Sequence, residues 1–161
     1  MKVNETAFLA QIRDNQGIIY KLVGLYATDA EERKDLYQEV LLQVWKSWPS
    51  FRGESKFSTW LYRICLNTIL TQKRKPAPIE YQDSLAGMAV LIPHPGIEDQ
   101  DARQLQWAIR QLGETDRAII SMHLDGYVND EIAAVIGITK NSVAVKLHRL
   151  KQQLINFLKQ A

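Results

Sequence analysis

The segment 126–150 most constrains how this chain folds, because its sequence, GYVNDEIAAVIGITKNSVAVKLHRL, has the pattern of two short helices joined by a glycine turn. Gly137 permits the left-handed turn that a side chain would resist. Val143 and Leu147 then recur at helical spacing and bury one face of the second helix. No acidic residue follows Glu131. Such a composition suits an element that approaches two rows of phosphates, because carboxylates would be repelled by them. The pattern predicts a helix-turn-helix that binds DNA.

The second helix of this motif has a polar and basic outward surface. The residues that the spacing places on or beside it are Lys140, Asn141, Ser142, Lys146, His148 and Arg149. An ordinary amphipathic hairpin with a solvated basic side has the same pattern, so this structural alternative stays open. The rest of the chain has to decide between the two interpretations.

The composition is that of a folded protein without a strong overall charge. A chain of 161 residues with 46% hydrophobic content and a net charge of +2 is long enough for one domain or two small ones. Cys65 has no internal disulfide partner, which fits a reducing compartment. The chain has neither a signal-peptide pattern nor an apolar run of membrane-spanning length. We therefore expect a cytoplasmic protein without membrane insertion.

Helical periodicity recurs along the chain, and no stretch is a good candidate for a strand. Gly17 is a possible break in the first helical segment, and Thr28 with Glu31 has the spacing of a capping box before the second. The predicted helical segments outside the helix-turn-helix are 4–27, 28–48, 57–75, 99–112 and 114–124.

Residues 76–98 interrupt this pattern. Four of the 5 prolines lie there together with Gly87 and Gly96, which predicts a flexible linker. The predicted fold is all-α, with two small helical domains at 1–75 and 99–161.

Two segments resemble a known family. DLYQEVLLQVWKSWPSFRGESKFSTWLYRICLNTIL resembles conserved region 2 of bacterial RNA polymerase sigma factors, especially the small extracytoplasmic-function (ECF) group. LGETDRAIISMHLDGYVNDEIAAVIGITKNSVAVKLHRLK is similar to region 4 of the same group. The two segments come in the family's order with a short linker between them. The resemblance implies a subunit that directs promoter-specific initiation, for a stress or envelope-signal regulon under the control of an anti-sigma factor.

The resemblance also implies that the helix with the DLYQE sequence binds the core RNA polymerase. The residues that it places in this contact are Asp35, Gln38, Glu39, Leu42, Gln43 and Lys46. Spacings of three and four residues put several of them on one helix face, where polar groups flank an apolar anchor. A solvated polar helix face is the structural alternative.

The loop and helix that follow correspond to the part of the family that opens and reads the minus-ten element. The residues implied in this contact are Arg52, Glu54, Ser55, Lys56, Phe57, Arg63, Asn67, Lys73 and Arg74. By resemblance Asn67 faces a flipped base, and the cations neutralise phosphates. Lys73 and Arg74 also have a structural explanation, because they complement a helix C-terminus. Trp60 can stack on a base, but its spacing favours the core.

By resemblance, the second helix of the helix-turn-helix reads the minus-thirty-five element in the major groove. The residues implied are Lys140, Asn141, Ser142, Ala144, Lys146, His148 and Arg149. The chain departs from the common pattern at Ala144 and Val145, where many relatives have polar or basic residues. Ala144 can touch a thymine methyl group but cannot make the bidentate hydrogen bonds that identify guanine or adenine. We therefore expect fewer direct contacts to bases and more contacts to phosphates. Val128 replaces the usual helix-starting serine, so Asn129 is expected to cap the first helix.

Two other functions compete with a sigma factor. His123 with Asp125 is the best sign of an enzyme, but the chain has only 3 histidines and 1 cysteine for a metal set or a triad. The second is a helix-turn-helix regulator that acts without polymerase, which would bind a duplex operator alone. We expect no catalysis and no cofactor. The expected partners are core RNA polymerase, promoter DNA and an anti-sigma factor.

Overall fold

The computed structural model describes residues 5–74 and 99–160. The chain divides into two compact units, Met1–Pro95 and Gly96–Ala161. In the described parts of both units the regular elements are helices, which confirms the all-α prediction. The predicted linker at 76–98 lies outside the described residues.

The described residues of the first unit form three helices, α1 (Glu5–Tyr26), α2 (Ala30–Ser47) and α3 (Phe57–Lys73), with a short 3-10 turn at Trp48–Ser50. Each of the three helices packs against the other two. Their core is formed by fully buried side chains, among them Leu22, Val40 and Leu61. The helix α1 continues through Gly17, so the possible break there does not occur.

The start of α2 is capped one residue later than the sequence pattern predicted. Asp29 is the N-cap, and its Oδ1 accepts a hydrogen bond of 2.7 Å from the backbone N–H of Glu32. The Glu32 carboxylate in turn accepts one of 2.9 Å from the backbone N–H of Thr28. The predicted pairing of Thr28 with Glu31 is therefore wrong. Asp29 and Glu32 satisfy backbone donors at this helix start instead.

The second unit contains α4 (Gln100–Arg110), α5 (Glu114–Leu124), α6 (Asn129–Ile136) and α7 (Lys140–Gln160). The helix α7 packs against α4, α5 and α6. Ile119, Ile132 and Val143 are fully buried and join three of these helices in one core.

The turn between α6 and α7 has the geometry that the sequence predicted. Gly137 has φ of 86°, a left-handed conformation that disfavours a side chain. Its N–H donates to the carbonyl of Ala133 over 2.8 Å, which closes α6. Thr139 then caps α7, because its Oγ1 accepts a hydrogen bond of 3.1 Å from the N–H of Ser142.

The expected capping role of Asn129 is wrong. Asn129 is the first residue of α6, and Val128 occupies the N-cap position. Valine has no acceptor, so the polar side chain that serves this end is Glu131, whose carboxylate accepts the Val128 N–H over 3.2 Å.

Candidate nucleic-acid interface

The helix α7 buries one line of apolar side chains and turns the opposite side to solvent. Val143, Leu147, Leu150 and Leu154 are buried. This spacing fixes how the helix is rotated on its core. The candidate residues Lys140, Asn141, Ala144, His148 and Arg149 are exposed, while Ser142 and Lys146 are half-buried.

Ser142 has a local structural task. Its backbone N–H donates to Thr139 Oγ1, and the hydroxyl groups of the two residues lie 2.9 Å apart in a hydrogen bond. Ser142 therefore helps to fix the start of α7 in addition to its position beside the outward face.

Two lysines of α7 are paired with carboxylates on the preceding helices. Lys146 Nζ lies 3.7 Å from Asp116 of α5, and the two side chains are 33% and 27% exposed. Lys140 Nζ lies 3.5 Å from Asp130 of α6, in a pair whose side chains are 66% and 71% exposed. Because water screens the second pair more strongly, Asp116 has the larger influence on its lysine.

Val145 is an exposed residue of this face that the candidate set omitted. It is 58% exposed and has Ala144, Asn141 and Arg149 as exposed neighbours on the helix surface. The spacing of Val143 and Leu147 contains the signal that finds it, because a residue midway between two buried ones one turn apart lies on the opposite side.

The first unit has a second cationic surface, on α3. Arg63 and Asn67 are exposed and lie four residues apart, so they are neighbours on one helix face. Arg74 is exposed at the end of the helix. Lys73 instead donates a hydrogen bond of 2.7 Å to Glu32 of α2, so the same carboxylate that serves the start of α2 also holds this cation.

The loop between α2 and α3 presents Arg52, Glu54, Ser55 and Lys56 to solvent. Gly53 turns the chain there with φ of 74°. Phe51 anchors the start of the loop, since its ring centroid lies 5.0 Å from that of Trp60, 5.6 Å from that of Phe57 and 5.8 Å from that of Trp48. We call Trp48, Phe51, Phe57 and Trp60 the aromatic cluster.

The aromatic cluster accounts for the burial of the candidate residue Phe57 and of Trp60. Phe57 is buried, so it packs against Phe51 at the start of the loop and is not accessible at the surface. Trp60 is half-buried against Trp48 and Phe51, which favours a packing role over base stacking.

The candidate polymerase-binding residues on α2 differ in accessibility. Gln38 and Glu39 are buried, and Glu39 accepts a hydrogen bond of 3.0 Å from the side chain of Gln43. Leu42 and Gln43 are half-buried, while Lys46 is exposed. Asp35 is half-buried, and burial, followed by the nearby Glu31 carboxylate, raises the pKa of its side chain.

Within residues 5–74 and 99–160, no group of three or more His, Cys, Asp or Glu side chains is placed to hold a metal ion. His123 is half-buried, and its pKa is lowered by burial and by Lys151. Across the same two ranges, none of the helices combines the length and apolar character needed to cross a membrane.

Comparison with known proteins gives the class of this chain. Residues 11–77 match the Sigma-70 region 2 family and residues 102–154 match the Sigma-70 region 4 family. These two regions, in this order on two helical units, define a sigma factor of bacterial RNA polymerase. They favour that class over a regulator that acts without polymerase.

The relatives narrow the class. The chain is 29% identical to the ECF RNA polymerase sigma-E factor of Escherichia coli strain K12, and the match covers 96% of this chain and 88% of the relative. It is 28% identical to the ECF sigma factor SigW of Bacillus subtilis, with coverages of 95% and 89%. The chain belongs to the ECF sigma factors.

Solved structures have the same fold. The sigma factor RpoE of Bartonella quintana, solved with the anti-sigma factor NepR, aligns with a TM-score of 0.73 at 20% identity, over 95% of this chain and 97% of that one. CnrH, solved with the cytosolic domain of CnrY, aligns with a TM-score of 0.69 at 19% identity, over 98% and 90%.

Proposed function

We propose that this ECF sigma factor contacts promoter DNA through two separate surfaces, one on α3 with its preceding loop and one on α7. The observation that supports this assignment is that each unit carries an exposed cationic helix face over a rigid apolar core. Arg63 beside Asn67 forms the first face, and Lys140, Asn141 and Arg149 belong to the second.

The face of α7 fits the major groove of the minus-thirty-five element. An α-helix of ordinary diameter fits this groove, and its outward side chains reach base edges while flanking cations contact phosphates. Lys140, Lys146 and Arg149 supply the positive charge, and Asn141 and His148 supply hydrogen-bonding groups. Arg149→Ala is expected to weaken promoter binding and to reduce its salt dependence, measured as the slope of the logarithm of affinity against the logarithm of salt concentration.

The face of α3 and the loop at 52–56 fit an unpaired strand of the minus-ten element. A base that has left the duplex needs hydrogen bonds to its pairing edge, and the exposed amide of Asn67 provides both a donor and an acceptor. Arg52, Lys56 and Arg63 are exposed cations that can neutralise the phosphates of that strand. Strand opening then draws its free energy from binding.

Kinetics of promoter opening test the role of Asn67. The variant Asn67→Ala is expected to slow open-complex formation more than it weakens initial binding, because the duplex is contacted before any base is flipped. Gln72→Ala is a control on the same helix, with a half-buried amide five residues further along. An equal effect of Asn67→Ala on both steps contradicts the flipped-base role.

We infer that α2 binds core polymerase through Leu42, Lys46 and the accessible parts of Asp35 and Gln43. Gln38 and Glu39 contribute by shaping this face, since both are buried in the free chain. Lys46→Glu is expected to reduce co-elution with core polymerase in gel filtration. Arg13→Glu makes the same charge change at an exposed position of α1 and is expected to co-elute normally. Equal behaviour of the two variants contradicts this assignment.

We further propose a cytoplasmic location and an anti-sigma partner that holds the free protein inactive. The support for the partner is that one structural neighbour, the sigma factor RpoE, was solved in complex with the anti-sigma factor NepR. The regulon is proposed to answer a stress or an envelope signal. The proposed domain limits are 1–75 and 99–161, with 76–98 as the linker.

A further inference from the structure

Val145 lies almost directly opposite the buried side chains of the proposed DNA-reading helix. It stands two residues from Val143 and two from Leu147, so it lies about 200° around the helix from each of these buried residues. Its side chain is 58% exposed, although both of its methyl groups are apolar. Ala144, beside it, is also exposed.

A single exposed valine is ordinary on a protein surface, but its place here is specific. It is flanked by exposed Asn141, His148 and Arg149, which are suited to DNA. A helix that enters the major groove brings its most outward side chain closest to the base edges. Valine has no hydrogen-bonding group to offer those edges. Each base-pair edge in the groove presents donors and acceptors, and the C5-methyl group of thymine is the apolar exception.

We propose that Val145, with Ala144 beside it, selects thymine in the minus-thirty-five element by packing against the C5-methyl group. The inference rests on the proposed placement of α7 in the major groove. Neither residue can form the bidentate hydrogen bonds that identify guanine or adenine. The selection therefore depends on a methyl group at C5 of a pyrimidine and is independent of the polar edge of the base.

The size of the effect follows from the apolar surface removed from water. Burial of one methyl-sized group corresponds to about a fourfold change in affinity. Removal of the thymine methyl is therefore expected to weaken binding about fourfold at each base that Val145 contacts. Truncation of Val145 to alanine removes two methyl groups and is expected to abolish most of this difference.

The experiment uses holoenzyme assembled from the full chain and core polymerase. A minus-thirty-five element is first selected from randomised duplex DNA, and each thymine in it is then replaced by deoxyuridine, which lacks only the C5-methyl group. The expected result is about fourfold weaker binding at one or two positions. Replacing such a thymine pair by a pair with 5-methylcytosine should retain more affinity than replacing it by one with cytosine.

Protein variants connect the effect to this residue. Val145→Ala is expected to lose most of the difference in affinity between thymine and deoxyuridine templates, because the thymine methyl group has lost most of its packing partner. Ile155→Ala, at another exposed apolar position of α7, is the matched control and is expected to keep the difference. Val145 is not part of the core, and the thymine substitutions leave the protein unchanged, so impaired folding does not explain the expected pattern.

Equal affinity of wild-type holoenzyme for thymine and deoxyuridine at every position overturns the proposal, as does a selected element without thymine. A difference that persists unchanged in Val145→Ala overturns the role of this residue. If the holoenzyme selects a promoter under either result, the proposed function stands. Failure to select any promoter sequence overturns the placement of α7 and the thymine proposal together.

Discussion

Replacing Phe51 with alanine tests how the loop at 52–56 is held for promoter opening. The ring of Phe51 contacts three other members of the aromatic cluster, with centroid distances of 5.0, 5.6 and 5.8 Å. Truncation of a fully buried phenylalanine costs about 3–5 kcal/mol. Phe51 is half-buried, so we expect a loss of about 2 kcal/mol in the free energy of unfolding. In a domain of this size, that loss lowers the melting temperature by roughly 8–16 °C.

The functional consequence is specific to opening. Without its anchor, the loop that carries Arg52 and Lys56 loses its fixed start, while the exposed Lys46 on α2 stays in place. The variant is expected to bind core polymerase like wild type and to open promoter DNA more slowly. Thermal unfolding by near-ultraviolet circular dichroism measures the loss of stability. Permanganate reactivity of unpaired thymines measures the rate of promoter opening.

A matched control separates anchoring of the loop from general loss of an aromatic ring. Phe157 of α7 is half-buried with one ring partner, Trp107, at 6.4 Å, so Phe157→Ala removes a ring of the same size in the other unit. It is expected to leave the unfolding of the first unit unchanged. A destabilised Phe51→Ala variant that opens promoters at the wild-type rate refutes the proposal that the aromatic cluster positions the loop. A variant of unchanged stability refutes the packing argument itself.

Three further changes have expected outcomes. Asp116→Asn releases Lys146 from a pair worth about 0.5–1 kcal/mol and should raise the affinity for duplex promoter DNA about two- to fivefold. Asp130→Asn should change this affinity less, because the pair of Asp130 with Lys140 is more exposed. Equal effects of the two variants in fluorescence anisotropy contradict this reasoning. Gly137→Ala forces a side chain into φ of 86° and should cost about 1–2 kcal/mol in urea unfolding, so a change near zero is the contrary result. Burial lowers the pKa of Lys21 to about 8, so the folded state binds fewer protons than the unfolded state between about pH 8 and the ordinary lysine pKa. The free energy of unfolding should therefore rise with pH in that window. Lys21→Met should remove this rise, and a rise that persists in the variant would be due to other groups.

Local patterns in the sequence predicted most of the second unit. Glu114–Leu124 is a helix with the predicted limits, and the left-handed Gly137 follows from the need for a sharp turn between two apolar periodicities. The helix predicted at 99–112 is shorter, Gln100–Arg110, with Asp99 as its N-cap. Helix ends are harder to predict because several residues there compete for the same backbone donors.

The cap of α2 shows this competition. Thr28 with Glu31 and Asp29 with Glu32 have the same three-residue spacing, so the pattern does not distinguish them. In the structure, Glu32 is also bound by Lys73, 41 positions away along the chain. Such a contact depends on how α2 and α3 pack. It is therefore absent from any local pattern.

Packing also decides which candidate residues are accessible. Gln38, Glu39 and Phe57 lie within matching motifs, but all three are buried. Val145 is the opposite case, because it is an apolar residue outside the candidate set that the structure exposes. Its exposure follows from the rotation of α7 on its core.

Transcription by reconstituted polymerase tests the central claim most directly. Core polymerase, the full chain and both together are given the same library of promoter fragments, and the transcripts are mapped. As the chain is an ECF sigma factor, start sites downstream of one shared pair of sequence elements should be obtained only when both proteins are present. Sequence-specific duplex binding by the chain alone, with polymerase initiation unchanged by its addition, would contradict the account and indicate a regulator that acts without polymerase.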